Sequence, residues 1–463
     1  MDMNNNDTIA AVSTPPGEGG IGIVRMSGKD SLTIADRIFT SSGGRRPSSC
    51  ASHTVHHGHV KMPGSGEMVD EILLAVMRAP KTYTGEDVAE MNCHGGIMSV
   101  KKVLQLCIRE GARLAEPGEF TRRAFLNGRI DLPQAEAVLD VIRSETDAAQ
   151  KVAIEQLRGG FSGEILDLRN SAIEALSMIE LAIDFSQEDV EFPRAEKITK
   201  HVEDLLLRVK KMLETSEKGM LLREGASVVI CGRPNVGKSS LMNALLKHDR
   251  VIVTPVAGTT RDVIEEFINI AGVKVRISDT AGIIDTEDRV EIEGIKRSRE
   301  KLAAADVVIF MLDSSCRLSP RDEKIYGTIG NKKSVIVANK TDLPRKLDIE
   351  KARKRFAREE ILEVSALKKE GLEKVEDAIA GKLFGGSIGP QEGLMVTNVR
   401  HKDILGKAAR AMERAMKVTG RSYNGELLAS DLNEAVHQLG LIIGESVEDG
   451  VLDRIFSQFC IGK

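Results

Sequence analysis

The sequence predicts a multidomain chain of three parts: an α+β N-terminal domain, an α-helical bundle, and an α/β phosphate-loop domain inserted into that bundle. Three observations predict it. An apolar run at 227–231, a glycine-rich turn at 232–239 and a helical pattern at 240–246 follow one another near the middle of the chain. On both sides of that unit, apolar residues recur at steps of three and four. Ahead of it all, residues 8–109 read as short strands with two helices.

Composition sets the outer bounds. An apolar fraction of 41% and a charged fraction of 29% describe a globular protein with room for several cores. No apolar run approaches the roughly 18 residues of a membrane span, and the N-terminal Met1-Asp2-Met3-Asn4-Asn5-Asn6-Asp7 has no basic region or signal core, so no membrane association and a cytoplasmic location are expected. The cysteines Cys50, Cys93, Cys107, Cys231, Cys316 and Cys460 are scattered without a C-x-x-C pair, which argues against a zinc ribbon or a disulfide framework. A net charge of −4 gives no global attraction to nucleic acid, so any RNA contact requires a local basic patch.

In the N-terminal part, 8–12 and 21–26 read as strands, 30–38 as a helix, 41–49 as a loop, 69–77 and 88–91 as strands, and 97–109 as a helix. Gly17, Gly19 and Gly22 form a G-x-G-x-x-G match, but a strand follows where a dinucleotide fold needs a helix, so it is a decoy. His53, His56, His57 and His59 raise the question of a metal. Strand spacing splits those rings between two faces, and no carboxylate or cysteine stands at ligand spacing, so an exposed histidine-rich strand is expected. Residues 82–96, polar and glycine-rich, suit a ligand pocket and a plain loop equally well.

From Phe120 to about Ser216 the pattern is helical. Ile165, Leu168, Ala172, Leu176, Ile179 and Ile183 make one stripe; Val202, Leu205, Leu206, Val209, Met212 and Leu213 make another after a break at Phe192-Pro193. Helical patterning resumes at 399–418 and 427–439, after a glycine-rich linker at 385–390. Stripes before and after the central unit both need burial, and one shared bundle satisfies both. The expected boundaries are 1–119, 120–218, 219–384 and 385–463.

The central unit carries the chemistry. In Gly232-Arg233-Pro234-Asn235-Val236-Gly237-Lys238-Ser239, glycines turn backbone N–H groups inward onto phosphates, and the helix N-terminus at Ser239-Ser240 adds a favourable partial charge. Lys238 would reach the β/γ-phosphates and Ser239 would hold Mg²⁺. A strand at 274–278 ends at Asp279-Thr280-Ala281-Gly282, where Asp279 would reach Mg²⁺ through water and the Gly282 N–H would sense the γ-phosphate. A strand at 335–338 delivers Asn339-Lys340-Thr341-Asp342, and Ser365-Ala366-Leu367 follows. Asp342 can accept from guanine N1–H and its exocyclic amine, which adenine does not offer, and the Ser365–Leu367 backbone can donate to O6. The domain therefore reads as a guanine-nucleotide binder. Ile283 stands where Ras-like enzymes place a water-orienting glutamine, so one of Asp285, Glu287, Asp288, Glu291 or Glu293 would have to take that role. No arginine finger is evident; Arg261 reads as a structural switch residue, and a partner or cation must supply the missing charge.

The order of the phosphate loop, Gly258-Thr259-Thr260-Arg261-Asp262, Asp279 to Gly282 and Asn339 to Asp342 resembles the TrmE–Era group of bacterial GTPases. Asp7-Thr8-Ile9-Ala10-Ala11 through Arg25, the run from Arg123 to Leu132, and Phe459-Cys460-Ile461-Gly462-Lys463 narrow the resemblance to the MnmE (TrmE) tRNA-modification family, over essentially the whole chain. The resemblance implies a homodimer, joined through an N-terminal domain that binds a tetrahydrofolate one-carbon derivative (5-formyl or 5,10-methylene). It implies a GTPase stimulated by K⁺. It also implies a flavin-dependent MnmG partner, in a heterotetramer or larger assembly, that together with it modifies C5 of uridine-34 in certain tRNAs.

Carried onto this chain, the resemblance assigns K⁺ to Asn235, Thr254, Val256 and Thr259, Mg²⁺ to Ser239 and Thr260, and the water-orienting acid to Glu291. It assigns folate to Arg25, Glu90, Arg129 and Lys463. The family commonly has lysine at the Arg129 position and often arginine at that of Ile284. Cys460 has two readings side by side: a thiolate near Lys463 acting directly in tRNA modification, or a small apolar residue packed beneath Phe456 and Phe459. A GTP-dependent RNA-binding ribosome-assembly factor would share the central domain, and so would a GTP-gated scaffold; an assembly factor needs neither the one-carbon site nor the cysteine segment.

Overall fold

A computed structural model describes residues 7–184, 195–248, 267–279, 300–356, 360–385, 394–421 and 425–463. The N-terminal part contains β1 (Ile9–Val12), β2 (Gly19–Ser27), α1 (Ser31–Ile38), β3 (Phe39–Ser41), β4 (Thr54–Lys61), β5 (Met68–Met77), β6 (Val88–Gly95), α2 (Ile97–Arg109) and β7 (Arg113–Leu114). These strands form one sheet in the order β3-β4-β5-β6-β2-β1-β7, antiparallel except where β7 joins β1. Period-two alternation decides its faces. Ile72, Leu74 and Val76 of β5 point into a core with Leu32 and Ile34 of α1 and Val103 and Leu106 of α2.

The opposite face carries the cross-strand pair Arg25 and Glu90. The histidine-rich strand forms, with Gly58 and Val60 buried and Val55 and His57 exposed. The strand expected at 88–91 runs on to Gly95, because glycines let the backbones close up: a Cβ on Gly95 would meet Gly19 O at 2.2 Å.

The helical run follows as α3 (Glu119–Leu126), α4 (Leu132–Arg143), α5 (Asp147–Leu157), α6 (Gly160–Asp184), α7 (Ala195–Glu214) and α8 (Ser216–Glu224). Helix α4 begins with Pro133 in its first turn and a capping box between Asp131 and Gln134, and Thr146 caps α5.

The α/β part comprises β8 (Ala226–Gly232), α9 (Lys238–His248), β9 (Phe267–Ile270), β10 (Val273–Asp279), β11 (Val307–Asp313), α10 (Pro320–Ile329), β12 (Ser334–Asn339), α11 (Ile349–Arg355), β13 (Ile361–Glu363) and α12 (Leu372–Phe384). Its sheet order is β13-β12-β11-β8-β10-β9, parallel apart from the edge strand β9. Every residue of β11 is buried, as a strand covered on both faces requires. In such sheets, ligands sit beyond the carboxyl ends of the strands.

The chain then returns through α13 (Val399–Arg421), α14 (Gly425–Ile443) and α15 (Asp449–Phe456). Phe161, Ile165 and Leu168 of α6, Val202 and Val209 of α7, Leu405 and Met412 of α13, and Leu432 and Leu439 of α14 share one core. The α/β domain is therefore inserted in a bundle built from both flanks. Each fully buried leucine contributes on the order of 1.5–3 kcal/mol, so this shared core draws the two flanks together.

A buried ion cluster ties α4 to α13. The Glu136 carboxylate accepts from Arg400 Nε at 3.1 Å and Nη2 at 3.0 Å, and His401 Nε2 lies 2.8 Å from it. Burial would raise Glu136, but His401 and Arg400 outweigh it and hold the carboxyl down at about 2. Burial pushes His401 below its ordinary value, so its imidazole is neutral near pH 7 and the Arg400 guanidinium provides the charge pairing. Among the described residues, no helix is long and apolar enough to cross a membrane.

Candidate functional site

The phosphate loop leaves β8 at Gly232 and enters α9 at Lys238. Gly232 has φ +153° and a Cβ there would strike Met311 O at 2.6 Å; Gly237 has φ +98° and a Cβ would strike Asn339 Nδ2 at 2.3 Å. Both glycines are required by close approach as well as by backbone angle. Between them Asn235 adopts φ +64°, a left-handed conformation that asparagine tolerates better than most residues. Val236 is buried in the domain core. Lys238 Nζ donates to Gly232 O at 3.2 Å and Arg233 O at 3.1 Å, so the ammonium lies over the loop it is expected to serve.

Ser239 Oγ donates to Asp279 Oδ2 at 2.9 Å, and Asp279 Oδ1 is buried with no hydrogen-bond partner among the described residues. A hydroxyl and a carboxylate with an unsatisfied oxygen at the end of the phosphate loop fit a hydrated Mg²⁺. Ser240 follows on the exposed side of the first turn of α9.

The loops after β12 and β13 close the other side. Asn339, almost fully buried, donates from Nδ2 to Val236 O at 2.9 Å and accepts from Ala366 N at 3.0 Å. It staples the phosphate loop to the 365–367 segment. Within the 365–367 stretch expected to donate to a guanine O6, the Ala366 N–H is thus already engaged, and a base using it would share it. Lys340 adopts φ +66° and donates to Asn235 O at 2.6 Å and Asp313 Oδ2 at 2.7 Å. Asp342 accepts from Ser365 Oγ at 2.6 Å, and that bond holds its carboxyl below the ordinary value.

Two members of this network were not singled out from sequence. Asp313 lies opposite Asn339 in the β11–β12 register, and Asp322, the capping acid of α10, accepts from Arg233 Nε at 2.6 Å. Thr254, Val256, Thr259, Thr260, Arg261, Thr280, Ala281, Gly282, Ile283, Ile284, Asp285, Glu287, Asp288, Glu291 and Glu293 lie outside the described residues.

A second constellation forms on the N-terminal sheet. Arg25 Nε donates to Glu90 Oε1 at 2.7 Å, and the Arg25 guanidinium lies 5.6 Å from the Tyr83 ring centroid and 5.7 Å from that of Phe120. The Arg129 guanidinium sits 5.3 Å from the same Tyr83 ring. The segment after α15 reaches back to them: Gly462 O accepts from Ser13 Oγ at 3.1 Å and Arg25 Nη1 at 3.3 Å, and Lys463 O accepts from Phe120 N at 3.2 Å. Burial and the nearby Arg25 lower the Lys463 ammonium, partly offset by Glu90 and Cys460.

Arg25 and Arg129, dispersed in sequence, therefore share one tyrosine ring, with Glu90 paired to Arg25 and the Lys463 ammonium within electrostatic reach of both Arg25 and Glu90. Two guanidiniums, an ammonium and a carboxylate beside aromatic faces suit a flat polar heterocycle with an anionic tail. Tyr83 and Glu90 both come from the 82–96 segment, and Tyr83, whose hydroxyl pairs with Thr121 at 2.8 Å, was not identified from sequence. Cys460 is exposed, and it is Phe459 that packs against Leu132, Leu139 and Phe456. The packing reading of Cys460 is thereby overturned: the segment turns at Gly462 (φ +95°), and only the phenylalanine faces inward.

Comparison with known proteins covers the same ground. The family described as MnmE helical domain matches residues 132–460, and that described as GTP-binding protein TrmE N-terminus matches residues 8–129. The chain is 47% identical over 462 residues, 100% of both chains, to the tRNA modification GTPase MnmE of Geobacillus kaustophilus (strain HTA426). It is 46% identical over 458 residues, 99% of both chains, to the protein of that name from Clostridioides difficile (strain 630). A solved structure of Aquifex aeolicus Era bound to GDP and AlF₄⁻ is 26% identical over 51% of this chain and 99% of that one, at a TM-score of 0.29 that lends no weight. With full-length identity of this order, the chain belongs to the MnmE family of tRNA modification GTPases.

Proposed function

We propose that this protein hydrolyses GTP to GDP and phosphate as a K⁺-stimulated homodimer. With a flavin-dependent MnmG-type partner, it would add an aminomethyl or carboxymethylaminomethyl group at C5 of uridine-34 in certain tRNAs, in the cytoplasm. The observation that carries this reading is the pairing of Arg25 and Arg129 on the Tyr83 ring, with Glu90 bonded to Arg25 and Lys463 beside that pair, in a chain that also holds a guanine-type loop set. A ribosome-assembly factor has no use for such a site.

The residues divide the work as follows. Asp342 reads the guanine edge, and Asn339 holds the phosphate loop against the base-reading loop. Lys238 exchanges Gly232 O and Arg233 O for β/γ-phosphate oxygens when nucleotide binds. Ser239 and Thr260 would hold Mg²⁺, with Asp279 reaching it through water, and the ion would supply charge neutralisation on the phosphates. Asn235, Thr254, Val256 and Thr259 hold K⁺ in the role of an arginine finger. The Gly282 N–H senses the γ-phosphate, Thr280 and Ala281 belong to the same GTP-binding stretch, and Glu291 orients the attacking water.

On the second site, a guanidinium of Arg25 or Arg129 pairs with the carboxylate tail of a tetrahydrofolate, Lys463 adds positive charge, and Glu90 accepts from the pterin edge. The folate supplies a one-carbon unit there, and the exposed Cys460 acts directly on the modification chemistry. The functional units are 1–119 for folate and dimerisation, 120–218 with 385–463 for the helical domain, and 219–384 for GTP. Mass spectrometry of wobble nucleosides in tRNA from cells lacking this protein tests the proposal. C5-modified uridine-34 should disappear, and an unchanged nucleoside profile would defeat the reading.

A further inference from the structure

We propose that the elbow between α4 and α5 transmits the state of the nucleotide site to the segment carrying Cys460. The inference rests on the reading of Ser239 and Asp279 as part of the GTP site. Strand β10 is the first strut. At its C-terminal end, Asp279 accepts from Ser239 at 2.9 Å. Near its N-terminal end, Lys274 Nζ pairs with Glu145 Oε2 at 2.7 Å and lies 3.8 Å from the Phe267 ring centroid. Six steps at about 3.3 Å make the strand a rod of roughly 20 Å. It is hydrogen-bonded to β8 on one side and β9 on the other, so it moves as a unit. The β9–β10 turn also bears on α5: a Cβ on Gly272 would meet Ala148 Cβ at 2.8 Å.

Helix α8 is the second strut. It leads into β8 and the phosphate loop, its Leu222 belongs to the core of the α/β domain, and its Arg223 Nε donates to Asp140 Oδ1 of α4 at 2.8 Å. The two struts abut, since a Cβ on Gly225 would strike Lys274 O at 2.5 Å. Both thus end on one short stretch, Asp140 to Ala148. From that stretch Arg143 Nη2 donates to Gln458 O at 2.8 Å, and Leu139 packs with Phe456 and Phe459. Cys460 is the next residue after Phe459.

A cavity of about 380 Å³ opens among these parts, lined by Asp140, Arg143, Val152, Arg223 and Gln458. Protein interiors are otherwise packed too tightly for an element to shift without repacking. Here the elbow borders free volume, so it can take a second position at less repacking cost. Arg143 and Glu145 are accordingly positioning residues: they act by placing Gln458 and the Cys460 segment after it.

The test uses the full chain with Cys316→Ser, which leaves Cys460 as its exposed cysteine. Alkylation of Cys460 by a maleimide is timed with GDP and with a non-hydrolysable GTP analogue, and guanine-nucleotide affinity is measured on the same samples. The two nucleotides should give rates differing by about fivefold or more, and Lys274→Ala or Arg143→Ala should bring that ratio to about one with nucleotide affinity retained. Lys274→Glu combined with Glu145→Lys should restore it. Equal rates in the parent with nucleotide bound, or a ratio that survives Lys274→Ala, would overturn the relay. Failure of the parent to bind guanine nucleotide at all would instead remove the reading beneath it, and the relay with it.

Discussion

Replacing Asp342 by asparagine isolates base recognition from folding. In the native chain one carboxylate oxygen accepts from Ser365 Oγ at 2.6 Å, and this bond keeps the group ionised at neutral pH. Asparagine Oδ1 can accept the same hydroxyl, so the 365–367 loop should stay in place. What the variant loses is a charged acceptor for guanine N1–H and the exocyclic amine. Hydrogen bonds to a charged partner are each worth about 1.5–3 kcal/mol net, so the pair is worth about 3–6 kcal/mol. At 1.4 kcal/mol per decade, GTP should bind about 10²- to 10⁴-fold more weakly. Xanthine carries a carbonyl in place of the amine, so the asparagine amide can donate to it while Oδ1 accepts N1–H. Displacement of a fluorescent GDP by GTP and by XTP reads both effects. Asp342→Asn should discriminate against GTP and in favour of XTP; a GTP Kd within about threefold of the parent would refute the assignment of Asp342 to the base.

Three further outcomes are expected. GTP turnover should rise when Na⁺ is replaced by K⁺, and Asn235→Ala should abolish the difference; equal rates in the two salts would remove the cation from the scheme. Arg25→Ala should lose binding of a reduced formyl-folate by isothermal titration, since it removes the Glu90 partner and one of two guanidiniums over Tyr83, while GTP hydrolysis by the separate domain continues. Glu136→Gln leaves Arg400 buried without its carboxylate and should cost about 3–5 kcal/mol, read as a lower thermal midpoint at pH 7. Glu136 is depressed from 4.5 to about 2 on folding, so its contribution is full above pH 4.5 and drains away as pH falls towards 2. The lowered His401 acts in the same direction, because the unfolded chain takes up its proton first as acid is added. The gap between parent and variant should therefore close in acid, and a gap constant with pH would show that charge is not its source.

The α/β domain and the helical stripes were legible because their signals are local. The run 227–239 contains strand, turn and helix start in one stretch, and the observed β8 and α9 bracket it within a few residues. Ile165, Leu168, Ala172 and Ile179 repeat with the helical period and are all fully buried. The second site was reached only through family resemblance, because nothing in spacing relates Arg25 to Glu90 or to Gly462. Their contact depends on the β2–β6 register and on a tail that crosses from α15 to the N-terminal sheet. Tyr83 escaped notice because a lone aromatic in a polar loop has no periodicity to mark it. Whether Cys460 packs or stays exposed was equally invisible, since 457–463 is irregular chain with no periodicity to assign its side chains to a face.

The contact between Gly462 and the N-terminal sheet also orders events during synthesis. Ser13 and Arg25 bind a carbonyl 449 and 437 positions away along the chain, so the N-terminal sheet leaves the ribosome long before its partner segment exists. The intervening α/β domain can complete its own fold in that interval, since its strands pair among themselves. A chain interrupted before residue 460 would thus emerge with an intact phosphate loop and an open N-terminal site lacking Gly462 and Lys463. Such truncated molecules would keep the self-paired strands that carry the phosphate loop, so nucleotide binding alone would not reveal them, and a measurement at the second site would tell them from the 463-residue chain.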